Sequence, residues 1–274
     1  MIPKRFFYVW GANDPYKRDM LACIQTWRQV LHDYEIVEIN ENSVKYFNFD
    51  YELSNNEWFR TVYEKKMWAY VADYVRIKTL FENGGIYFDT DVSVLKSMDR
   101  FLNDKCFVGI QSSGNYNLTE PAILGAEKGN LFLREVLRFY NSRIWNEPIY
   151  TIPQIFEKIL QERHSVFEFP PKSKQKIIDL GEICLYPEKF FIPFRYGQKF
   201  HYSCIEEDTY TIHWFSGSWL KPEIDYFLRH KHLKNSPNYT EISKYYLLGV
   251  IPLKIKKSSK NTVVYFCGIP LISY

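Results

Sequence analysis

Asp89 and Asp91, one residue apart in "FDTDV", offer the plainest chemistry in this 274-residue chain. Read as part of a strand, residues i and i+2 project to one face roughly 6.5 to 7 Å apart. Two carboxylates held that way repel each other and favour a divalent cation between or beside them. Oxygen donors with few other protein ligands suit Mg2+ or Mn2+ bound jointly to a diphosphate. The bare spacing is weak, because 12 aspartates give about half a D-x-D by chance in a chain of this length. An acidic turn is the competing reading. Upstream, Asp73 and Arg76 stand at i and i+3 and so share one face of a helix. A surface ion pair worth little is the ordinary meaning of such a pair. A planar donor fork beside a carboxylate acceptor also suits gripping sugar hydroxyls.

The elements that must position these groups read as an α/β domain with a parallel sheet. "FFYVW" (6 to 10) is a strand-like apolar run halted by Gly11-Ala12-Asn13-Asp14-Pro15. Residues 17 to 31 read as a helix with Leu21, Ile24, Trp27, Val30 and Leu31 on its apolar stripe. "YEIVEIN" (34 to 40) is a second strand, and strand, helix, strand at this spacing opens a parallel sheet. One long helix is expected over 57 to 82, stopped by Asn83-Gly84-Gly85. A strand is expected across "IYFDTDVSV", another over 106 to 111, then helices over 129 to 142 and 153 to 163. Short strands and loops fill 165 to 215. The C-terminal segment repeats itself weakly, "YYLLGVIPLKI" (245 to 255) being echoed by "VVYFCGIPLIS" (263 to 273).

Composition bounds the rest. Hydrophobic residues are 46% and charged residues 24%, enough apolar material for a sizeable core. Aromatic residues reach 18%; most are expected in the core, some near the surface as stacking platforms. Five scattered cysteines without a Cys-x-x-Cys pair argue against a disulfide framework or thiolate zinc site and fit a reducing compartment. Neither a secretory signal nor a spanning apolar run is seen, so a cytoplasmic placement is expected. Net charge is +3, but from Lys221 onward nine Lys/Arg face three Asp/Glu, leaving the first 220 residues at −3. A basic tail with two apolar patches suits the inner face of an anionic membrane; a hairpin packed on the main domain is the equal alternative. No basic, aromatic-laced stripe marks the main domain as a nucleic-acid binder, and no second acidic cluster supports a two-metal nuclease.

"ADYVRIKTLFENGGIYFDTDV" resembles the sugar-transferase signature of glycosyltransferase family 32 and the equivalent segment of the large glucosylating toxins. Eight anchors stand in register over 19 residues: Asp73, Arg76, Leu80, Gly84, Gly85, Tyr87, Asp89 and Asp91. "IPKRFFYVWG" is similar to the family's opening, with Phe7 where histidine is usual. "CIQTW" (23 to 27), "YPEKFFIP" and "HWFSGSW" (213 to 219) match further family segments, whereas Ile152 in "TIPQ" departs from a usual T-G-P. The resemblance covers roughly residues 2 to 220.

That resemblance implies a GT-A fold for residues 1 to 220, with a small C-terminal appendage over 221 to 274. It implies transfer, with retention, from a nucleotide-sugar donor such as a UDP-sugar. Asp89 would face ribose and metal, Asp91 would ligate the metal, and Asp73 and Arg76 would hold the donor sugar. Trp10 would stack on the base and Tyr87 would help enclose the nucleotide. His213 is a further metal ligand in this reading, and imidazole favours Mn2+ over Mg2+. Ser218 and Trp219 would close over the diphosphate, and Gln154 would line the opposite face of the sugar. The expected acceptor is a glycan, a glycolipid or a polyprenyl-diphosphate-linked sugar, as in capsule or other polysaccharide assembly. A protein-glucosylating effector and a catalytically silent nucleotide-sugar-binding module are the alternatives.

Overall fold

The structure is a computed structural model that describes residues 1–11, 14–112, 117–216, 227–228, 231, 240–247, 251–258, 262–267 and 269–273. The chain divides into two units, Met1–Asn141 with Thr151–Ser218, and Ser142–Tyr150 with Trp219–Tyr274.

In the first unit, β1 (Arg5–Val9) buries Phe6, Phe7 and Tyr8 on both faces, as a central parallel strand must. Helix α1 (Arg18–Val30) follows, then β2 (Glu35–Ile39), which pairs in parallel with β1. The stripe of α1 that faces the core is Met20, Cys23, Ile24 and Trp27, the i, i+3, i+4, i+7 pattern of one helix face; Leu21 points outward. Helix α2 (Phe49–Asn55) and α3 (Glu57–Glu64) precede α4 (Trp68–Asn83).

The single helix expected over 57 to 82 is therefore two. Lys66 lies at φ +55°, its amide donates to Tyr63 O at 2.9 Å, and the Met67 amide donates to Val62 O at 2.8 Å. That pair of bonds is a Schellman stop, which usually carries glycine where this chain has Lys66. Helix α4 then buries Tyr70, Val71, Asp73, Tyr74, Val75, Arg76, Ile77, Thr79 and Leu80, leaving little of its surface wet.

Strand β3 (Gly85–Phe88) starts at once after α4, and β4 (Val92–Val94) follows. The pair Gly84 (φ +66°) and Gly85 (φ +126°) makes this possible. A Cβ on Gly85 would stand 2.9 Å from Arg5 O, inside the neighbouring strand. The strand expected across "IYFDTDVSV" is broken, and Asp89-Thr90-Asp91 lie in the turn between its halves. The Val92 amide donates to Asp89 O at 3.1 Å, so the aspartates take positions i and i+2 of a β-turn.

Strands β5 (Cys106–Ser112) and β6 (Asn117–Ala126), helices α5 (Leu131–Ser142) and α6 (Ile152–His164), strands β7 (Ile178–Asp179) and β8 (Cys184–Tyr186), helix α7 (Glu188–Phe191) and β9 (Thr211–His213) complete this unit. The sheet runs β2-β1-β3-β6-β5-β8-β7. β6 is antiparallel to both β3 and β5, β8 is parallel to β5, and β7 is antiparallel to β8. Against β5 the register jumps from Leu124 to Glu120, a bulge that lifts Pro121, Ala122 and Ile123 out of that ladder. A separate two-stranded ribbon joins β4 to β9, with Val92 opposite His213.

In the second unit, β10 (Thr240–Leu247), β11 (Ile251–Ser258), β12 (Thr262–Phe266) and β13 (Ile269–Ser273) form an antiparallel meander in chain order. Each copy of the repeated sequence runs from the end of one of these strands into the next. Lys231 is fully buried, and its Nζ donates to Ile144 O and to Glu147 O.

Candidate active site

Four elements meet at the C-terminal end of β3. From α4 come Asp73 and Arg76, which are 9% and 5% exposed, so the pair is no surface ion pair. Arg76 Nη2 lies 3.0 Å from Asp73 Oδ1 and donates to Asp89 Oδ1 at 2.9 Å, while Nη1 donates to Pro121 O at 2.8 Å. The guanidinium sits 4.4 Å over the Tyr87 ring, and the Tyr87 hydroxyl donates to the same Asp89 Oδ1 at 2.8 Å. A stacked, forked cation is a use that lysine could not fill. The β6 bulge supplies the remaining support, since Pro121 O receives Arg76 and Ala122 O receives the Asp89 amide at 2.8 Å.

Asp91 is held from the other side. Its Oδ2 accepts from the Ser216 amide at 2.8 Å, its backbone carbonyl accepts from the Trp214 amide at 3.0 Å, and its Oδ1 is 3.3 Å from His213 Nε2. The β4–β9 ribbon makes this possible by carrying His213 across more than a hundred residues of sequence. Glu120, just before the bulge on β6, places Oε1 3.4 Å from His213 Nδ1.

Charge explains the protonation states. Burial alone would lower the His213 pKa, but Glu120 and Asp91 outweigh it and raise it to about 10. Burial works against ionised Asp91 as well; the His213 and Ser216 contacts prevail and hold its carboxyl well below the usual range. Burial pushes Asp73 up to about 7, with the Arg76 guanidinium opposing. Asp89 is likewise raised by burial against the pull of Arg76. Four carboxyl groups (Asp73, Asp89, Asp91, Glu120) face two cations (Arg76, His213), with Asp73 only partly ionised near neutral pH, an acidic setting suited to a divalent ion.

The donor set fits such an ion. One ligand atom each from Asp89, Asp91 and His213 lies within 4.8 Å of the others. Ligands about 2.1 Å from Mg2+ stand about 3 Å apart when adjacent and about 4.2 Å apart when opposed, so the three groups would draw together on binding an ion. Asp89 has Oδ1 anchored by Arg76 and Tyr87, and Asp91 has Oδ2 held by Ser216 and Oδ1 against His213, so an ion bound there would take the place of the His213 proton.

The other sequence-derived residues lie as follows. Trp10, just past β1, donates from Nε1 to Asp14 O at 3.0 Å, and its ring centroid is 6.2 Å from that of Tyr16. Gln154 is the N3 residue of a capping box on α6, with Oε1 accepting from the Thr151 amide. The Ile152 amide of that same helix turn donates to Asp73. Ser218 and Trp219 lie outside the described residues. Sequence reasoning missed Glu120, the Pro121 carbonyl and the Ser216 amide. Glu120 has no spacing signal, and the other two are backbone groups with no signature at all.

Residues 17–108 match the model of a glycosyltransferase sugar-binding region containing a DXD motif, the span that holds Asp73, Arg76, Tyr87, Asp89 and Asp91. Over that span the chain is similar to DXD-type glycosyltransferases. Lactosylceramide 4-alpha-galactosyltransferase of Rattus norvegicus is 30% identical over 155 residues, 52% of this chain and 39% of that protein. Inositol phosphoceramide mannosyltransferase 3 of Schizosaccharomyces pombe (strain 972 / ATCC 24843) is 30% identical over 142 residues, 50% and 36% of the two chains. The chain therefore spans well under half the length of these relatives. Among solved structures, PaToxG glycosyltransferase superposes with a TM-score of 0.49 at 16% identity over 60% of this chain and 70% of that one. The sugar-binding region contributes two of the three donors in the candidate metal set, and the third, His213, lies outside it.

Proposed function

We propose that the protein is a retaining, metal-dependent glycosyltransferase of GT-A type that moves a sugar from a UDP-sugar to a hydroxyl of a glycolipid or cell-surface glycan. The observation that carries this reading is the convergence of Asp89, Asp91 and His213 beside the Arg76 clamp. Both curated relatives act, by their names, on ceramide-based lipids, which favours a glycolipid or polyprenyl-linked acceptor over a protein.

Asp89, Asp91 and His213 would hold Mn2+ or Mg2+, which when bound supplies charge neutralisation to the departing diphosphate. Asp73 and Arg76 present an acceptor and a fork of donors to the donor sugar's hydroxyls, and both are fixed before any substrate arrives. The Trp10 and Tyr16 rings flank the end of β1, where a nucleobase would stack, and Tyr87 orders Asp89. Ser218 and Trp219 would close over the diphosphate. The acceptor hydroxyl attacks from the leaving-group face, its proton passing to the departing phosphate oxygen. Lys221 and the basic residues beyond it would meet an anionic membrane on its cytoplasmic face.

Nucleotide release from a panel of UDP- and GDP-sugars in the presence of Mn2+ tests the reading. The wild-type chain turns over one donor, and Asp91→Asn lowers that rate by about 100-fold or more. Turnover unchanged in Asp91→Asn sinks it. Radiolabel entering a protein band and no lipid extract would move the acceptor to protein.

A further inference from the structure

Beyond His213, an unbroken chain of aromatic rings leads away from the candidate metal site. Phe215 packs on the His213 ring at 4.2 Å between centroids and reaches Tyr196 at 6.2 Å and Phe194 at 5.7 Å. Trp214 meets Phe200 at 5.0 Å and Phe194 at 6.0 Å, and Phe200 meets Tyr202 at 5.3 Å. Half of this cluster faces solvent: Tyr202 is 82% exposed, Tyr196 65% and Trp214 40%. The three exposed rings are joined to one another through Phe194, Phe200 and Phe215, which hold them on one aromatic cluster with a wet outer side.

The surrounding backbone is fixed rather than loose. Glu188 grips Arg195 through both carboxylate oxygens, Gln198 Oε1 accepts from the Arg195 amide, and Thr209 ties the far end to Lys189 O. The Trp214 indole donates to Ser93 at 2.8 Å, its amide to Asp91 O, and the next amide but one to Asp91 Oδ2. Phe215 takes φ +54°, a costly backbone for a bulky residue, at the junction between rings and carboxylate.

We propose that Tyr196, Tyr202 and Trp214 form a stacking surface for a pyranose ring of the acceptor. The proposal rests on the glycosyltransferase reading above. Pyranose faces present C–H groups that lie flat on aromatic rings, while their hydroxyls point outward to polar partners. That rim is present: Gln198, Lys199, His201 and Ser203 alternate with the rings and are exposed, and residues 195 to 204 contain no Leu, Ile, Val or Met. The cluster's origin at His213 places an acceptor next to where the donor's anomeric carbon must lie.

Saturation-transfer NMR with lactose, maltose and cellobiose tests this on the full chain. The expected result is saturable binding of at least one disaccharide, weakened about tenfold or more in Tyr196→Ala/Tyr202→Ala and restored by Tyr196→Phe/Tyr202→Phe. Both positions are exposed, so melting temperatures report whether the variants remain folded. Calorimetry of UDP with Mn2+ separates the two ideas. Absence of nucleotide binding defeats the function reading itself. Nucleotide binding without saturation by any of the three sugars overturns the stacking surface alone. Sedimentation with neutral phosphatidylcholine vesicles, lost in the double Ala variant, overturns it by assigning the rings to lipid.

Discussion

His213 is the residue on which the metal reading turns, because a protonated imidazole cannot be a ligand. With its pKa raised to about 10, the ring carries a proton at neutral pH, and an incoming cation must displace it. Mn2+ binding at pH 7.5 should therefore release close to one proton and strengthen as pH rises toward 10. Calorimetry in two buffers of different ionisation enthalpy reads that number directly. Glu120→Gln removes the charge that contributes most to holding the proton and should release fewer; equal release from both chains would remove Glu120 from the account. Glu120 also shows where residue-level reading stopped. Spacing alone left Asp73, Arg76, Asp89 and Asp91 open between an ion pair, an acidic turn and a site; the family resemblance of that stretch and of the segment around His213 is what singled them out. Glu120 sits in "NLTEPAIL", where nothing announces a partner 93 residues away.

At the scale of elements, the passage from α4 into β3 decides whether the aspartates reach the site. Gly85 combines φ +126° with a neighbour 2.9 Å from any added Cβ. Gly85→Ala should cost about 2–3 kcal/mol or more, whereas Gly129→Ala, at φ +75° in open space, should cost about 1 kcal/mol. Urea melts of the two variants make the comparison; equal losses would mean that the close approach of β1 is unimportant. Glu157 on α6 offers a second test. Its carboxylate accepts from the Thr119 amide at 3.3 Å, yet burial pushes it up to about 7. The folded chain then keeps a proton that the unfolded chain loses above about pH 4.3. Its stabilising effect is full below that pH and disappears as pH rises through 7. Glu157→Gln should accordingly raise stability by about 1–3 kcal/mol at pH 8 and leave pH 4 unchanged. A gain at pH 4 equal to that at pH 8 would refute the argument. Elements also mark the limits of periodicity. The β1-α1-β2 start was readable, but the break at Lys66 uses a Schellman turn without glycine, and β6 hides its bulge inside an ordinary apolar run.

For the whole molecule, charge is the property the sequence states most plainly. The last 54 residues hold a surplus of six positive charges while the rest is net acidic. Among the described residues no helix is long and apolar enough to cross a membrane. Reversal at Lys254, Lys256 and Lys257 (each →Glu) should abolish sedimentation with phosphatidylserine vesicles, and 0.5 M salt should weaken the wild type at a Debye length of about 4 Å. Binding indifferent to both would leave the tail without a membrane role. The order of strands around the site carries one more consequence. Asp89 and Asp91 precede their third partner by more than 120 residues, and β9 is what delivers it. At about 5–20 residues per second of synthesis, roughly 6–24 s pass between the emergence of Asp91 and that of His213. During that interval the nascent chain gains the Pro121 and Ala122 carbonyls that complete the Arg76 clamp but still lacks the imidazole, so any capacity to capture a metal ion would arrive as one of the last events in the making of this unit.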